Sequence, residues 1–300
     1  MKNEFVFINE VGPRDGLQNQ DVHLSKEERL QIIDSLEEAN LPGIEVASFV
    51  SPKTVPQMKG AKFIVQNLKK SNCDYSVLVP NLQGYQEAKK AGAKTVSVVP
   101  AATEQMNQNN INMSLDQSIQ VACEIISLGK REQIKTRAYI AVAWECPYEG
   151  KVNENHVLKI ADQLIEAGAE ELILADTIGA ANPESVKSLI SKVIDRYPIQ
   201  ISAHFHDTRA LALVNVWSAL NCGVRKFDSC IGGLGGCPFA PGASGNLATE
   251  DIVSMLHQSG YTTNIKEDKL MKAVKDVSKV LNYEIGGRMT KWLNKKIINN

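Results

Sequence analysis

Short runs of β-branched and apolar residues recur along this chain, separated by stretches whose apolar positions repeat with helical spacing. That rhythm predicts parallel strands joined by crossover helices. Eight strands are expected, at 5–11, 43–47, 75–79, 95–99, 136–142, 172–175, 201–206 and 226–229, each followed by a helical pattern. Ser25 with Glu28 has capping-box spacing ahead of Leu30, Ile33 and Leu36, and Asn182-Pro183 reads as an N-cap and first helical residue. Gly92 and Gly168, in AGAK and AGAE, mark helix ends. Eight such units predict an α/β protein built as a (β/α)8 TIM barrel, one catalytic domain over 1–300 whose residues from about 265 onward form extra helices covering one end. An open doubly wound sheet is the alternative, but no Gly-x-Gly-x-x-Gly turn follows the first strand.

Composition narrows the function classes. No linker, charge block or low-complexity run divides the 300 residues, and 43% hydrophobic with 22% charged residues suits a chain that buries a sizeable core. A net charge of −1 argues against nucleic acid as a partner. No run of about 18 apolar residues predicts a membrane span, and MKNEFVFINE lacks a signal-like apolar stretch, so a cytoplasmic location is expected. Six cysteines without a CxxC pair disfavour a zinc cage or a disulfide framework.

The polar clusters fall at the C-terminal ends of the expected strands, where such barrels place their chemistry. His204 and His206 stand at i and i+2 and share one strand face, which makes them a chelating pair directed into the barrel. The first and seventh strands flank the eighth in a closed barrel, so Asp15 can supply a hard oxygen beside them. Asn246, returning from the loop after the eighth strand, adds an amide oxygen. Such donors suit a divalent cation, Mg²⁺ or Mn²⁺, with positions left for substrate. Two histidines and a carboxylate also describe the triad of Fe(II) oxygenases, and Arg14 beside Asp15 is what separates the two readings. In the glycine-dense run GGLGGCPFAPGASGN, Cys237 sits in a segment with little to contribute to core burial, the character of an active-site loop.

Together EVGPRDGLQNQ, IEVASFVSPKTVPQM, CPYEGK, ADTIGAANP, HFHDT and GLGGCPFAPGASGNLATEDIV make the chain resemble the 3-hydroxy-3-methylglutaryl-CoA lyases, within the family of metal-dependent barrel lyases and Claisen-type synthases. The resemblance spans Glu10 to about Leu256. It implies an acyl-CoA thioester substrate cleaved to acetyl-CoA and acetoacetate through an enolate, and a homodimer. It also implies Asp15, His204, His206 and Asn246 as cation ligands. Arg14, Cys237, His204 and Glu45 take catalytic positions, with Gln18, Ser48, Arg137, Tyr139, Asp176 and Thr177 joining Arg14 around the substrate. Arg137 is the one named candidate for a coenzyme A contact.

The chain departs from the family pattern at Gln20, Thr54, Trp144-Glu145 and Arg209-Ala210-Leu211. The bulk of Trp144 and Glu145 near the mouth of the fifth strand is expected to reshape the acyl pocket, which keeps a lyase or synthase for another 3-hydroxyacyl-CoA as the runner-up. A catalytically silent acyl-CoA-binding barrel is disfavoured by the full set of ligands and proton carriers. Cys237→Ser is expected to leave a folded, metal-binding protein slowed about 10²- to 10⁴-fold. Full turnover by that variant in a steady-state assay would show that the thiol carries no proton.

Overall fold

The computed structural model describes residues 4–235 and 245–298. Eight parallel strands close into a barrel: β1 (Phe7–Glu10), β2 (Gly43–Ser48), β3 (Asp74–Leu78), β4 (Thr95–Val98), β5 (Lys135–Ile140), β6 (Glu171–Asp176), β7 (Gln200–Phe205) and β8 (Lys226–Ser229). Their order round the barrel is sequential, and β8 pairs with β1 to complete it. Closure leaves no sheet edge to template a foreign strand, and it rules out the doubly wound alternative. Each strand lies where the apolar runs predicted it, with ends moved by at most two residues.

The helices between strands follow from their caps. Helix α1 (Lys26–Glu38) starts with the expected box: Glu28 N–H donates to Ser25 Oγ at 3.1 Å and Ser25 N–H to the Glu28 carboxylate at 2.7 Å. Next come α2 (Ala61–Gln66) and α3 (Leu82–Ala91), the latter ended by left-handed Gly92. The crossover after β4 holds two helices, α4 (Glu104–Ile111) and α5 (Leu115–Glu132), because Ser114 and Gln117 form a second capping box. Helices α6 (Glu154–Glu166), α7 (Pro183–Arg196), α8 (Ala212–Asn221) and α9 (Thr249–Gln258) complete the ring, with Asn182 capping α7. A two-stranded hairpin, Glu145–Cys146 with Gly150–Lys151, interrupts the connection after β5.

The C-terminal helices are α10 (Glu267–Leu281) and α11 (Thr290–Ile298). Helix α10 does not cover an end of the barrel, as expected from the sequence, but packs alongside α1 and α9 in the outer ring. Its apolar face, with Leu270, Val274 and Val277 buried, needs a lateral partner. The connection that follows reaches residues beyond the C-terminal ends of the strands: Tyr283 Oη donates to Gln20 Oε1, and Arg288 reaches Asp207 at 3.2 Å.

The apolar core lies between strands and helices, where Ile8, Val46, Val96, Ile140, Leu174 and Phe227 are buried. The barrel interior is largely polar instead. Arg137 donates to both oxygens of Glu171 at 3.0 and 3.2 Å, and Lys226 Nζ and Ser202 Oγ donate to the same carboxylate at 2.8 and 2.7 Å. Removing one member of a buried ion cluster leaves the rest uncompensated. Glu171→Gln, which confronts Arg137 with Lys226, is expected to lower unfolding free energy by about 3–5 kcal/mol in urea titrations. A loss within error would mean that water screens the interior.

Candidate active site

A five-residue turn, Gly12–Gly16, leaves β1 with π-type hydrogen bonding and sets Arg14 and Asp15 at the barrel mouth. Arg14 Nε donates to Glu45 Oε2, and its NH1 donates to Asp15 Oδ1 at 2.6 Å. Both anions hold the guanidinium charge above its ordinary affinity for a proton, against the opposing effect of burial. The β2–β3 register shifts between Glu45 and Ala47, a bulge beside the residue that orients Arg14.

From β7, His204 enters the barrel interior and His206 follows just beyond the strand, their ring centroids 5.1 Å apart. Phe205 between them points to the helices and stacks on Trp144 at 5.7 Å, as strand alternation requires. Asn246 is pinned beside His206 by backbone pairing: a bridge joins the two residues, Asp207 N–H donates to Gly245 O at 2.7 Å, and Leu247 N–H to Phe205 O at 3.2 Å. Gly235, at φ +91°, packs so closely that a Cβ would lie 2.7 Å from Asn246 Nδ2. Only glycine accommodates both that backbone and that contact.

Ligand atoms of Asp15, His204 and His206 all lie within 4.8 Å of one another, so the three can hold a metal ion. Two orphaned atoms support the fit: His206 Nδ1 and Asn246 Oδ1 are buried without a hydrogen-bond partner. Buried polar atoms of this kind require an explanation. Asn246 Nδ2 meanwhile donates to Asp15 Oδ2 at 2.7 Å. Burial would raise the Asp15 pKa, but Arg14, His204, His206 and this amide hold it at about 2. Burial and then His204 push His206 down to about 3, so near neutrality its imidazole is uncharged and able to bind a cation. His204 is shifted the other way because Asp228 outweighs its burial.

The remaining expected residues take varied places. Gln18 is half-buried just beyond the Arg14-Asp15 turn. Ser48 Oγ is buried and unpartnered at the end of β2, as is Ser97 Oγ on β4. Both serines pair in register with Leu78. Tyr139 is buried and donates from its hydroxyl to Asp228 Oδ2 at 2.7 Å. Asp176 accepts from Ala180 and Ala181 N–H at 2.8 and 3.1 Å, which bends the chain after β6, while burial raises its pKa to about 6. Thr177 Oγ1 accepts from Val142 N–H at 2.9 Å and steadies a β-branched residue at φ +50°. Such a conformation costs on the order of 1–3 kcal/mol.

Two expectations are corrected. Arg137 lies deep in the interior, paired with Glu171 and also near Asp228 at 3.5 Å, so its guanidinium serves a structural ion cluster and is not at the rim where coenzyme A would meet it. Trp144 does not face the acyl pocket: its Nε1 donates to Ser185 O at 3.1 Å on the helix side, and Glu145 pairs with Arg209 at 3.4 Å. Ala210, within the Arg209-Ala210-Leu211 departure, adopts φ +59°, a backbone that favours glycine. Cys237 lies outside the described residues.

Sequence reasoning missed Asp228, Asn9 and Glu10. Lys226 and Asp228 alternate with outward Phe227 just as His204 and His206 do with Phe205, and that inverted pattern was the available signal.

The HMGL-like family model matches residues 6–277. The chain belongs to the HMGL-like family. It is 42% identical over 272 residues, 90% of this chain and 91% of the relative, to the hydroxymethylglutaryl-CoA lyase YngG of Bacillus subtilis. The crystal structure of the Bacillus subtilis HMG-CoA lyase superposes with a TM-score of 0.93 at 39% identity, covering 99% of each chain. An HMG-CoA lyase from Acinetobacter baumannii, solved in complex with coenzyme A and 3-methylmalate, gives 0.91 at 34% identity over 97% of this chain and 96% of its own.

Behind this HMGL-like site, Glu10 ties the Arg14 turn to the base of the glycine-dense segment. Its Oε1 accepts from Gly12 N–H at 2.7 Å and Ile231 N–H at 2.8 Å, and its Oε2 from the Thr249 hydroxyl at 2.6 Å. Burial nevertheless raises its pKa from 4.5 to about 7. The sign follows: a carboxyl with a raised folded pKa favours the folded state while protonated, and that advantage is lost as pH rises through the folded value. Between pH 4.5 and about 7.5 the wild type should therefore lose about 3 kcal/mol relative to Glu10→Gln, read from paired urea titrations. A pH-independent difference would mean that the Glu10 carboxyl titrates alike in the folded and unfolded chain.

Proposed function

We propose that this chain is a divalent-metal-dependent carbon–carbon lyase that cleaves 3-hydroxy-3-methylglutaryl-CoA to acetyl-CoA and acetoacetate. The observation that carries the reading is Arg14, locked by Glu45 and Asp15 beside a trio able to hold a cation. Cleavage removes the proton of the tertiary hydroxyl, breaks the adjoining carbon–carbon bond and leaves the electron pair as a thioester enolate. Each new charge needs a host.

Asp15, His204, His206 and Asn246 would hold Mg²⁺ or Mn²⁺, which supplies Lewis acidity and a template for the substrate's carboxylate and hydroxyl. Arg14 stabilises the developing enolate oxygen as a preorganised cation; one such donor is commonly worth about 10²- to 10³-fold in rate. Glu45 orients Arg14, since its Oε2 engages Nε. The Cys237 thiol would give its proton to the enolate carbon, and the thiolate so formed would take up in net the proton lost by the tertiary hydroxyl at the metal's edge, beside His204. Gln18, Ser48, Tyr139, Asp176 and Thr177 frame the acyl group, and Ser48 offers it a buried hydroxyl that has no other partner.

The outward packing of Trp144 removes the main sequence argument for a different acyl chain. We read residues 1–300 as one catalytic domain acting as a homodimer. The five described cysteines are all free, in keeping with a reducing cytoplasm. No helix among the described residues is long and apolar enough to cross a membrane.

Metal-supplied protein mixed with 3-hydroxy-3-methylglutaryl-CoA is expected to release acetyl-CoA and acetoacetate faster than longer-chain analogues release their products. Chelation should stop turnover and added Mg²⁺ or Mn²⁺ restore it, with no oxygen consumed. Full rate after chelation would sink the metal-dependent reading, and faster cleavage of a longer analogue would reassign the substrate.

A further inference from the structure

Beneath the proposed ligands, Asp228 is a carboxylate sealed inside the barrel that none of the steps above uses. The strand register sets Asn9, Asp228 and His204 side by side on β1, β8 and β7. Four groups converge on this one acid. Tyr139 Oη and His204 Nδ1 lie 2.7 and 3.2 Å from Oδ2, while Asn9 Nδ2 and Arg137 NH2 lie 2.9 and 3.5 Å from Oδ1.

We propose that Asp228 is the positioning residue of the metal centre, holding His204 with its proton on Nδ1 so that Nε2 is the free donor. The inference rests on the cation site assigned to Asp15, His204, His206 and Asn246. An ionised carboxylate has no hydrogen to give, so the imidazole nitrogen facing it must be the one that donates. The lone pair then belongs to the other nitrogen. Imidazoles that ligate metals commonly gain orientation and basicity from such a partner. His206 has no equivalent: no side chain among the described residues is hydrogen-bonded to its ring, and its position is set by the backbone bridge to Asn246. Of the two imidazoles, His204 is therefore the one preset by a side chain. Tyr139, through the same Oδ2, also ties the edge of the acyl pocket to this ligand, its ring 6.4 Å from that of His204 in an edge-on arrangement.

Asp228→Asn separates positioning from packing. The amide keeps the size of the side chain and can still accept from Asn9, but its N–H group toward His204 favours the opposite tautomer, with the proton on Nε2. Loss of the tautomer-fixing acid is expected to weaken Mn²⁺ binding about 10- to 100-fold in calorimetric titrations of the full chain. Nitrogen-15 spectra of histidine-labelled, metal-free protein, recorded at a pH high enough for the ring to be neutral, should show the His204 proton on Nδ1 in the wild type and on Nε2 in the variant, with circular dichroism confirming the fold. Tyr139→Phe removes a neighbour of the same oxygen but leaves the acid facing His204, and should keep the proton on Nδ1. A folded Asp228→Asn protein that binds Mn²⁺ as tightly as wild type overturns the proposal. So does wild-type His204 protonated on Nε2, a result available even if the variant does not fold. Wild type that takes up no Mn²⁺ would instead defeat the metal reading, with the tautomer still deciding the role of Asp228.

Discussion

A negative charge closed inside a protein must be answered by donors on every side, and Asp228 sets that requirement for the whole barrel interior. Its two oxygens draw in Asn9, Tyr139, Arg137 and His204. Arg137 then needs more anion than Asp228 offers and takes both oxygens of Glu171, which in turn holds Lys226. Each charge obliges the next, so a continuous polar network runs from the inner strand positions up to the ligand cluster. The hydrophobic effect acts mainly outside the strands, between sheet and helices, where the apolar core lies. Inside, a small apolar group of Tyr139, Ile173 and Ala175 with Val99 is the exception.

This division explains why the site is held as it is. Groups that must keep one orientation, Arg14 and His204, are fixed by carboxylates with little freedom of their own, Glu45 and Asp228. Asn246, which comes from the far side of the glycine-dense segment, is fixed by main-chain pairing with β7 residues instead. The strained backbone at Val142, just past β5, and the bulge within β2 both lie beside the site, where the surrounding bonds are dense enough to sustain them.

The barrel was legible in the sequence because each strand announces itself by an apolar outer face and each crossover by a helical repeat. Caps at Ser25 and Asn182 were readable for the same reason: their chemistry is local. The clustering of Asp15, His204, His206 and Asn246 was legible because the two histidines share a face and Asp15 and Asn246 end neighbouring segments. What stayed hidden depends on distant partners. Arg137 could not be told from a rim cation until Glu171, 34 residues away, was seen to hold it. Trp144 looked like a pocket residue until Phe205 and Ser185 showed which side of the strand it takes. The same holds for α10, whose amphipathic face said that it needed a partner but not that α1 and α9 supply it.

Buried acids also hold the points at which the glycine-dense segment leaves and rejoins the barrel. Glu10 accepts from Ile231 N–H at 2.8 Å, and Glu250 accepts from Gly232 N–H at 3.1 Å and from Gly287 N–H at 2.6 Å, in the C-terminal connection. Asp251 adds Arg288 and Met289 N–H, both at 2.8 Å. On the return side, Gly245 is bonded to Asp207. The departure point at Gly235 therefore abuts Asp15 and Asn246, while the return point abuts the histidine strand. The C-terminal connection, remote in sequence, is thereby tied through Glu250 to the same stretch, 231–235, that packs against Asp15 and Asn246.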